Sequence, residues 1–370
     1  MASVSPSAGI GNFVPLSVSF QRDTSSMSDI AHGKTEAQSP QSQLIQMATA
    51  HWVSRFLYVA ARMNLADQLA KQPKTAEELA QATGAAAPSL HRLMRTLASL
   101  GLFTEDSEHR FSLTRLGEAL QTGTPGSARA SVLTLAGEIF TEALDHLLYS
   151  VQTGKTGFEK AFGVPLFDWL ASHPAEASMF SETMVGLHGT EPPAVAAAYD
   201  FSEFGTIIDV GGATGNLLST ILGRYPKPRG ILFDLPHVIA DASELISARG
   251  LVNRIKIESG SFFESVPGGG DVYLLSHIIH DWSEAQCLTI LGNCRRAMNR
   301  NSRLLIIEMV LPSGDAPHLG KMLDVIMLAI PGGQERTELE YRRLLDEAGF
   351  KLTRVVPTES AVSVVEAVPA

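Results

Sequence analysis

Short apolar segments separated by longer helical patterns make up the chain from residue 206 onward. Apolar runs of this kind are typical of strands buried on both faces, whereas the segments between them repeat their apolar residues with helical spacing. The alternation predicts a mostly parallel sheet with helices on both faces, because parallel neighbours need a long crossover. The last two strands lack a helix-length gap, which predicts an antiparallel hairpin at the sheet edge. The predicted strands are 206–210, 231–234, 255–258, 272–275, 304–309, 352–356 and 361–365.

A different pattern, helices followed by a hairpin, covers residues 41–125. Apolar residues recur with helical spacing at first, and Thr75 with Glu78 predicts a capping box for a helix over 75–82 that Gly84 ends. A helix over 89–100 and a hairpin over 103–113 follow. This winged-helix order serves either DNA binding or dimerisation. Residues 41–120 hold eight Lys and Arg against seven Asp and Glu. With no strongly basic surface for phosphates, we favour a dimerisation domain.

The segments on either side of this domain differ in composition. Residues 1–40 are rich in Ser and Gln and lack a sustained period, which predicts a disordered leader, with Met27 as an alternative start. Residues 126–200 are mostly helical and are expected to line a ligand pocket, and 201–370 form the domain of alternating strands and helices. Large, adaptable apolar side chains are expected in that pocket. These are Phe167, Met179, Phe180, Met184, Leu323, Ile326 and Met327.

Charge and cysteine content exclude several classes of partner. The net charge of −10 argues against nucleic acid and anionic membranes. No apolar run approaches the ~20 residues of a membrane span, since Glu308 interrupts the longest candidate, 304–311. Cys287 and Cys294 lie seven residues apart in one predicted helix, too far for a disulfide. Unpaired cysteines fit a cytoplasmic location.

A glycine turn after the first of these strands indicates a cofactor site. The strand 206–210 is followed by Gly211, Gly212 and Gly215 and then by a helix. At the carboxyl end of a parallel strand, such a turn lets a nucleotide-like ligand approach the backbone. Asp234 ends the next strand, at the distance expected for an acid that holds a ribose diol. An ordinary glycine turn is the alternative interpretation. Since the spacing does not match a dinucleotide fingerprint, a pyrophosphate is poorly supported.

A histidine and two carboxylates form the candidate catalytic group. His280 lies beyond the carboxyl end of strand 272–275, where this architecture has its active site. Glu308 interrupts an apolar strand, where a charge is costly without a partner. Glu335 follows a glycine pair in a loop. If both carboxylates reach His280, they orient its ring and stabilise the imidazolium after proton transfer. A buried structural histidine is the alternative.

Four ordered motifs resemble the signatures of the caffeate/hydroxyindole type of S-adenosylmethionine-dependent O-methyltransferase. The resemblance runs from about residue 44 to the end. It implies a class I methyltransferase, with a Rossmann-like seven-stranded mostly parallel sheet and an N-terminal winged-helix-like dimerisation domain that forms a homodimer. The motifs are Val210-Gly-Gly-Ala-Thr-Gly, Phe233-Asp-Leu-Pro-His-Val, Ile279-His-Asp-Trp-Ser and Pro331-Gly-Gly-Gln-Glu-Arg-Thr.

The resemblance also assigns roles to residues. His280 would be the general base with Glu308 and Glu335 beside it, and Gly211 and Asp234 would bind S-adenosylmethionine. Three further cofactor positions follow: Ser261, where the family usually has an acid, Phe262 against adenine, and Ser276, where plant members carry a lysine. Ala213 replaces the commoner middle glycine of the turn, and the 329–332 stretch is one residue shorter than in plant members.

The expected reaction is methylation of a phenolic hydroxyl on a small aromatic metabolite. A phenol of pKa ~10 is mostly protonated at neutral pH, so a histidine that takes the proton assists the transfer. The sequence shows no cluster of His, Cys and Asp with metal-ligand spacing, and we expect no metal. Alternatives are an N- or C-methyltransferase of the same fold, a nicotinamide oxidoreductase, or a winged-helix regulator with an inactive domain.

Overall fold

The computed structural model describes residues 39–370, which fall into two units. The smaller unit comprises residues 39–141 and Ala175–Gly186, and the larger comprises Glu142–Pro174 and Leu187–Ala370. Nearly all of the predicted leader, 1–40, lies outside the described residues. Among the residues described, no helix is both long and apolar enough to cross a bilayer.

The smaller unit follows the predicted order of helices and hairpin. Thr75 caps the helix that begins at Ala76, and its Oγ1 and backbone N–H exchange hydrogen bonds with Glu78, so the capping box is confirmed. Gly84 ends that helix with a φ of 72°. The helices are α1 (Pro40–Thr49), α2 (His51–Arg62), α3 (Leu65–Leu69), α4 (Ala76–Thr83), α5 (Ala87–Ser99), α6 (Arg115–Glu118) and α7 (Arg129–Leu135), and the strands are β1 (Lys74–Thr75), β2 (Phe103–Glu105) and β3 (Arg110–Leu113).

The core of the smaller unit lies between α3, α4, α5 and the hairpin, around the fully buried Leu79, Met94 and Phe111. By contrast, α1 and the start of α2 leave large apolar side chains exposed, among them Met47 at 73% and Trp52 at 55%. An apolar surface of this kind favours contact with another protein surface.

In the larger unit, consecutive helices precede residue 206, and strands and helices alternate from there onward, as predicted. Helix α8 (Glu138–Asp145) crosses from the smaller unit into it, and the middle of α12 belongs to the smaller unit. The helices are α9 (Leu147–Thr153), α10 (Gly157–Phe162), α11 (Leu166–Ser172), α12 (Pro174–His188), α13 (Glu191–Ala198), α14 (Asn216–Arg224), α15 (Ala242–Ala248), α16 (Glu284–Ala297), α17 (Leu319–Ala329) and α18 (Glu338–Glu347), with 3₁₀ turns at Ile239–Asp241 and Ile279–Asp281. The strands are β4 (Thr206–Val210), β5 (Arg229–Asp234), β6 (Ile255–Ser259), β7 (Val272–Ser276), β8 (Arg303–Glu308), β9 (Val310–Leu311), β10 (Arg336–Thr337), β11 (Phe350–Pro357) and β12 (Ser363–Pro369).

The large sheet has seven strands in the order β11-β12-β8-β7-β4-β5-β6. Strands β8, β7, β4, β5 and β6 run parallel, and β12 runs antiparallel to both β8 and β11, which confirms the edge hairpin. Several strand ends differ from the prediction. The strand placed at 361–365 is Ser363–Pro369, the one placed at 352–356 is Phe350–Pro357, and the one placed at 304–309 is Arg303–Glu308. The strands placed at 231–234, 255–258 and 272–275 are each longer by one or two residues at one end.

Alternate residues of the central strands face two different cores. On β4, Ile207 packs with α14 residues such as Leu218 on one face, while Ile208 packs with α16 residues such as Leu291 on the other. Helices therefore cover both faces of a seven-stranded, mostly parallel sheet, as predicted. The carboxyl ends of β4, β5, β7 and β8 lie side by side, and Gly211, Asp234, Ser276 and Glu308 lie at this edge. Cys287 and Cys294 are both buried and free.

Candidate active site

The glycine turn after β4 brings its backbone close to neighbouring elements. Gly211 has a φ of 73° and donates its N–H to the carbonyl of Phe233 on β5 at 2.8 Å. A Cβ at Gly211 would lie 2.4 Å from Ile278 Cδ1 and 3.4 Å from Phe262 Cε1. Ala213 also has a positive φ, 48°, a conformation that suits the glycine commoner at this place.

Asp234, at the end of β5, is fixed against this turn. Its Oδ2 accepts from the N–H of Ala213 at 2.9 Å, and its Oδ1 accepts from the N–H of Leu235 at 2.7 Å. Each carboxylate oxygen has a second lone pair, so the side chain can still accept hydrogen bonds from a diol. Asp234 is 8% exposed, and burial raises its pKa against the effect of these hydrogen bonds.

Asp209, on β4, is buried, and the neighbouring charge that acts on it is that of Asp234, which is also negative. Both of its carboxylate oxygens lack a hydrogen-bond partner among the described residues. Burial, and after it the negative charge of Asp234, raise the pKa of Asp209 from 3.8 to about 7.

We expect Asp209→Asn to remove a pH dependence from the stability of the cofactor-free protein. Because the pKa of Asp209 is higher in the folded than in the unfolded state, the folded state retains a proton that the unfolded chain releases. The free energy of unfolding of the parent should therefore fall, relative to the variant, by about 1–4 kcal/mol as pH rises from about 4 to about 8. Denaturant unfolding of both proteins at both pH values measures these free energies. A free-energy difference between parent and variant that is the same at both pH values would contradict the raised pKa of Asp209.

The remaining predicted cofactor residues lie on the same edge of the sheet. The ring of Phe262 lies against the Gly211 turn, and its carbonyl accepts from Asn293 Nδ2 at 2.7 Å. Ser261 Oγ accepts from the N–H of Phe263 at 3.3 Å, and Ser276 is the last residue of β7. A close glycine turn, a carboxylate with free lone pairs and a nearby aromatic ring fit an adenosine cofactor without phosphates.

His280 is held in a buried 3₁₀ turn beyond β7, and its ring is oriented by Glu335. Its Nδ1 lies 2.8 Å from Glu335 Oε1, and the side chains are 6% and 0% exposed. The other oxygen of Glu335 has no partner among the described residues. The Glu335 N–H donates to Asp324 Oδ1 at 2.8 Å, and the Gln334 N–H donates to the His280 carbonyl at 2.9 Å. The loop that carries Glu335 is thus hydrogen-bonded to the turn that carries His280.

Glu308 makes no hydrogen bond or ion pair with the His280 ring, which corrects the expected arrangement. Its Oε1 accepts from the backbone N–H groups of Ile278 and His280, both at 3.1 Å, and its Oε2 accepts from Tyr341 Oη. The carboxylate therefore fixes the backbone of the turn and acts on the ring only through its charge. A further carboxylate lies beside the ring: Asp281 Oδ1 is 3.6 Å from His280 Nε2. The sequence did not single out Asp281.

These carboxylates change the acidity of His280. Burial lowers its pKa, but the charges of Asp281, Glu335 and Glu308 outweigh burial and raise the pKa from 6.5 to about 10. The imidazolium is thereby stabilised, so the ring binds a proton far more strongly than a free histidine.

The predicted pocket residues lie in both units. Leu323, Ile326 and Met327 are half-buried on α17, which packs against α9 and α10, and the Phe167 ring lies 5.4 Å from that of Trp282. These residues belong to the larger unit. The others, on α12, are half-buried in the smaller unit: Met179, Phe180 and Met184.

The structure corrects the expectation that no ligand cluster exists. His188, Glu191 and His277 each offer a donor atom within 4.8 Å of the others. No sequence spacing indicated this cluster, because His277 lies 86 residues beyond Glu191 and is brought to it by the sheet.

Comparisons with known proteins agree with this geometry. The O-methyltransferase domain family matches residues 144–351, and the O-methyltransferase dimerisation domain family matches residues 45–123. The chain is 47% identical to a phenazine O-methyltransferase of Lysobacter antibioticus over 328 residues, which cover 89% of this chain and 96% of that protein.

Two solved structures are also similar. A mitomycin 7-O-methyltransferase aligns with a TM-score of 0.84 at 34% identity, covering 89% of this chain and 98% of that one. An O-methyltransferase from neocarzinostatin biosynthesis, solved with S-adenosyl-L-homocysteine and 1,4-dihydroxy-2-naphthoic acid, aligns with a TM-score of 0.79 at 32% identity, covering 88% and 98%.

Proposed function

Since the chain belongs to the O-methyltransferase family and is an S-adenosylmethionine-dependent enzyme, we propose that it methylates a phenolic hydroxyl with His280 as general base. The observation that carries this proposal is the buried His280 ring, held 2.8 Å from Glu335 at the edge that fits the cofactor. S-Adenosylmethionine supplies a methyl group already activated on a sulfonium. The protein therefore has to align the acceptor and remove its proton.

The raised pKa of His280 matches the acidity of the proposed acceptor. With a pKa of about 10, the imidazolium is about as weak an acid as a phenol of pKa ~10, so proton transfer between them is nearly balanced. A histidine of ordinary pKa would leave that transfer uphill by roughly 5 kcal/mol. The carboxylates of Asp281, Glu335 and Glu308 reduce this difference, because they stabilise the imidazolium. They also favour the charged ring before the reaction, so neutral His280 is the minor, reactive form near pH 7.

The proposed acceptor is a planar, preferably fused-ring, hydroxylated aromatic. The rings of Phe167 and Trp282 and the half-buried apolar side chains of α17 offer it flat and adaptable contacts. A phenazine enzyme and a structure with a bound dihydroxynaphthoate among the relatives support the same class.

The test is methyl transfer from labelled S-adenosylmethionine to hydroxylated phenazines, naphthoates and single-ring phenols. We expect a labelled methyl ether, with kcat/KM highest for the fused-ring phenols. Analogues in which the hydroxyl is already methylated serve as the control and should remain unlabelled. Label on nitrogen or carbon alone would contradict O-methylation of these acceptors.

We expect Asp234→Ala to weaken S-adenosylmethionine binding by about 1–3 kcal/mol, because it removes a charged hydrogen-bond acceptor. Titration calorimetry measures the affinity. Asp200→Ala is the matched control, since Asp200 likewise accepts from a backbone N–H, that of Ser202 at 2.9 Å, but is exposed. Equal affinities for Asp234→Ala and the parent would remove Asp234 from the cofactor site.

A homodimer completes the proposal. The dimerisation domain is present over residues 45–123, and the exposed apolar residues of α1 and α2, such as Met47 and Trp52, offer a second copy a surface to cover. We assign residues 41–125 to dimerisation, 126–200 to the acceptor pocket and 201–370 to the cofactor. The two free, buried cysteines agree with a cytoplasmic location.

A further inference from the structure

Three side chains with metal-binding atoms converge from three elements of the larger unit. His188 is the last residue of α12, Glu191 is the first of α13, and His277 directly follows β7. Glu191 Oε1 lies 3.1 Å from His188 Nδ1, and Glu191 Oε2 lies 2.6 Å from His277 Nε2. The two imidazole rings lie together, with centroids 3.8 Å apart. Both histidines therefore approach one carboxylate from the same side.

The backbone at His277 is strained. Its φ of 53° lies in the left-handed region, which a residue other than glycine adopts only at a cost. Strain of order 1–3 kcal/mol persists where surrounding structure imposes it, and it concentrates at functional sites. The strained turn at His277 is the one whose ring reaches Glu191. The direction of this side chain is therefore a candidate functional feature.

The donor set and its exposure suit a zinc-like ion. Two imidazoles and one carboxylate are the protein ligands of open zinc sites, which keep a fourth position for water or substrate. The Glu191 side chain is 7% exposed, whereas those of His188 and His277 are 26% and 16% exposed, so an ion can enter past the rings. Bonds of about 2.0–2.1 Å in a tetrahedral site place neighbouring donors about 3.3 Å apart. Small side-chain rotations from the present separations reach that distance.

We propose that His188, Glu191 and His277 form a binding site for a divalent transition-metal ion of the zinc class. Glu191 binds as the carboxylate and both imidazoles bind neutral. When His277 Nε2 gives its lone pair to the ion, the single proton of that ring moves to Nδ1. That Nδ1 is buried and has no hydrogen-bond partner in the part of the chain that the structure describes, so the N–H that it then carries lacks an acceptor, and the bonds to the ion have to exceed this cost. The site lies beside His280, whose ring centroid is 5.1 Å from that of His277.

The test is zinc titration of the full-length protein after removal of metal with a chelator and dialysis. Competition with a chromophoric chelator gives affinity and stoichiometry, and we expect one Zn²⁺ per chain. His188→Gln and Glu191→Gln should each weaken binding by at least about tenfold, while circular dichroism and the melting temperature report whether they fold. His188 is partly exposed, so its variant keeps the test usable if Glu191→Gln misfolds.

His109→Gln is the matched control. On the surface, His109 Nδ1 lies 2.8 Å from Glu105 Oε1. A second imidazole nitrogen, His91 Nε2, lies 4.0 Å from the same oxygen. Removal of the His109 ring should leave zinc affinity unchanged. Replacement of zinc by Co²⁺ should give the visible absorption of a tetrahedral site in the parent and the control alone. The proposal is overturned if the parent binds no more zinc than the folded His188→Gln variant, whether or not the enzyme methylates phenols.

Discussion

His280→Gln is expected to lower kcat on a weakly acidic phenol by roughly 10²–10⁴-fold while leaving the fold and the cofactor affinity unchanged. Glutamine fills a similar volume and can still donate to Glu335, but it cannot take a proton. The acceptor hydroxyl then has to ionise without help. Steady-state kinetics with a single-ring phenol, together with calorimetry of cofactor binding, measure both effects.

Acceptor acidity provides the control for this prediction. An acceptor whose hydroxyl is already ionised at neutral pH needs no base, so the deficit of His280→Gln should shrink as acceptor pKa falls. Glu335→Gln should lose less than His280→Gln, because Glu335 only orients the ring and stabilises its charge. If His280→Gln methylated weakly acidic phenols at the parent rate, the base assignment would fail and alignment alone would remain as the mechanism.

The sheet was predictable from the sequence because burial on both faces leaves continuous apolar runs. Strand ends were less predictable, because hydrogen-bonded pairing determines them. Strand β12 extends to Pro369 because its last residues, Val368 and Pro369, pair with Lys351 and Phe350 of β11. Strand β12 also includes Glu366, although a hydrophobic pattern would exclude a charged residue. The charge is tolerated there because Arg303 and Arg354 lie 2.7 and 2.9 Å from the Glu366 carboxylate.

The contact between His280 and Glu335 was predictable from the sequence, whereas the contacts of Glu308 were only partly so and Asp281 was not singled out. An acid that interrupts an apolar strand implied that Glu308 has partners, but not which ones. The direction of its side chain brings it to the backbone of the 279–281 turn and to Tyr341, which lies 33 residues later. The group of His188, Glu191 and His277 was not predictable, because its members adjoin only after the sheet has formed.

Gly333→Ala leaves every side chain of the candidate catalytic group unchanged, yet it is expected to lower kcat by roughly 10²-fold or more. A Cβ at residue 333 would lie 1.8 Å from the His280 carbonyl oxygen and 2.6 Å from the carbonyl carbon of Asp281. Both are backbone atoms that cannot rotate away, so the loop and the turn have to separate. The 2.9 Å hydrogen bond from Gln334 to His280 would then be lost, and the Glu335 carboxylate would leave the ring that it orients.

Cofactor affinity should change little in Gly333→Ala, because Asp234 and Gly211 are fixed by their own hydrogen bonds to each other's segments. Gly268→Ala is the matched control, since it lies in another loop of the same unit, where an added Cβ meets only the Ala297 carbonyl oxygen at 3.8 Å. Measured on the same phenol, the control should keep the parent kcat. A folded Gly333→Ala protein with the parent kcat would mean that the contact between loop and turn does not position His280. The orientation of the base would then have to come from the bonds that Glu308 makes to the backbone of the turn.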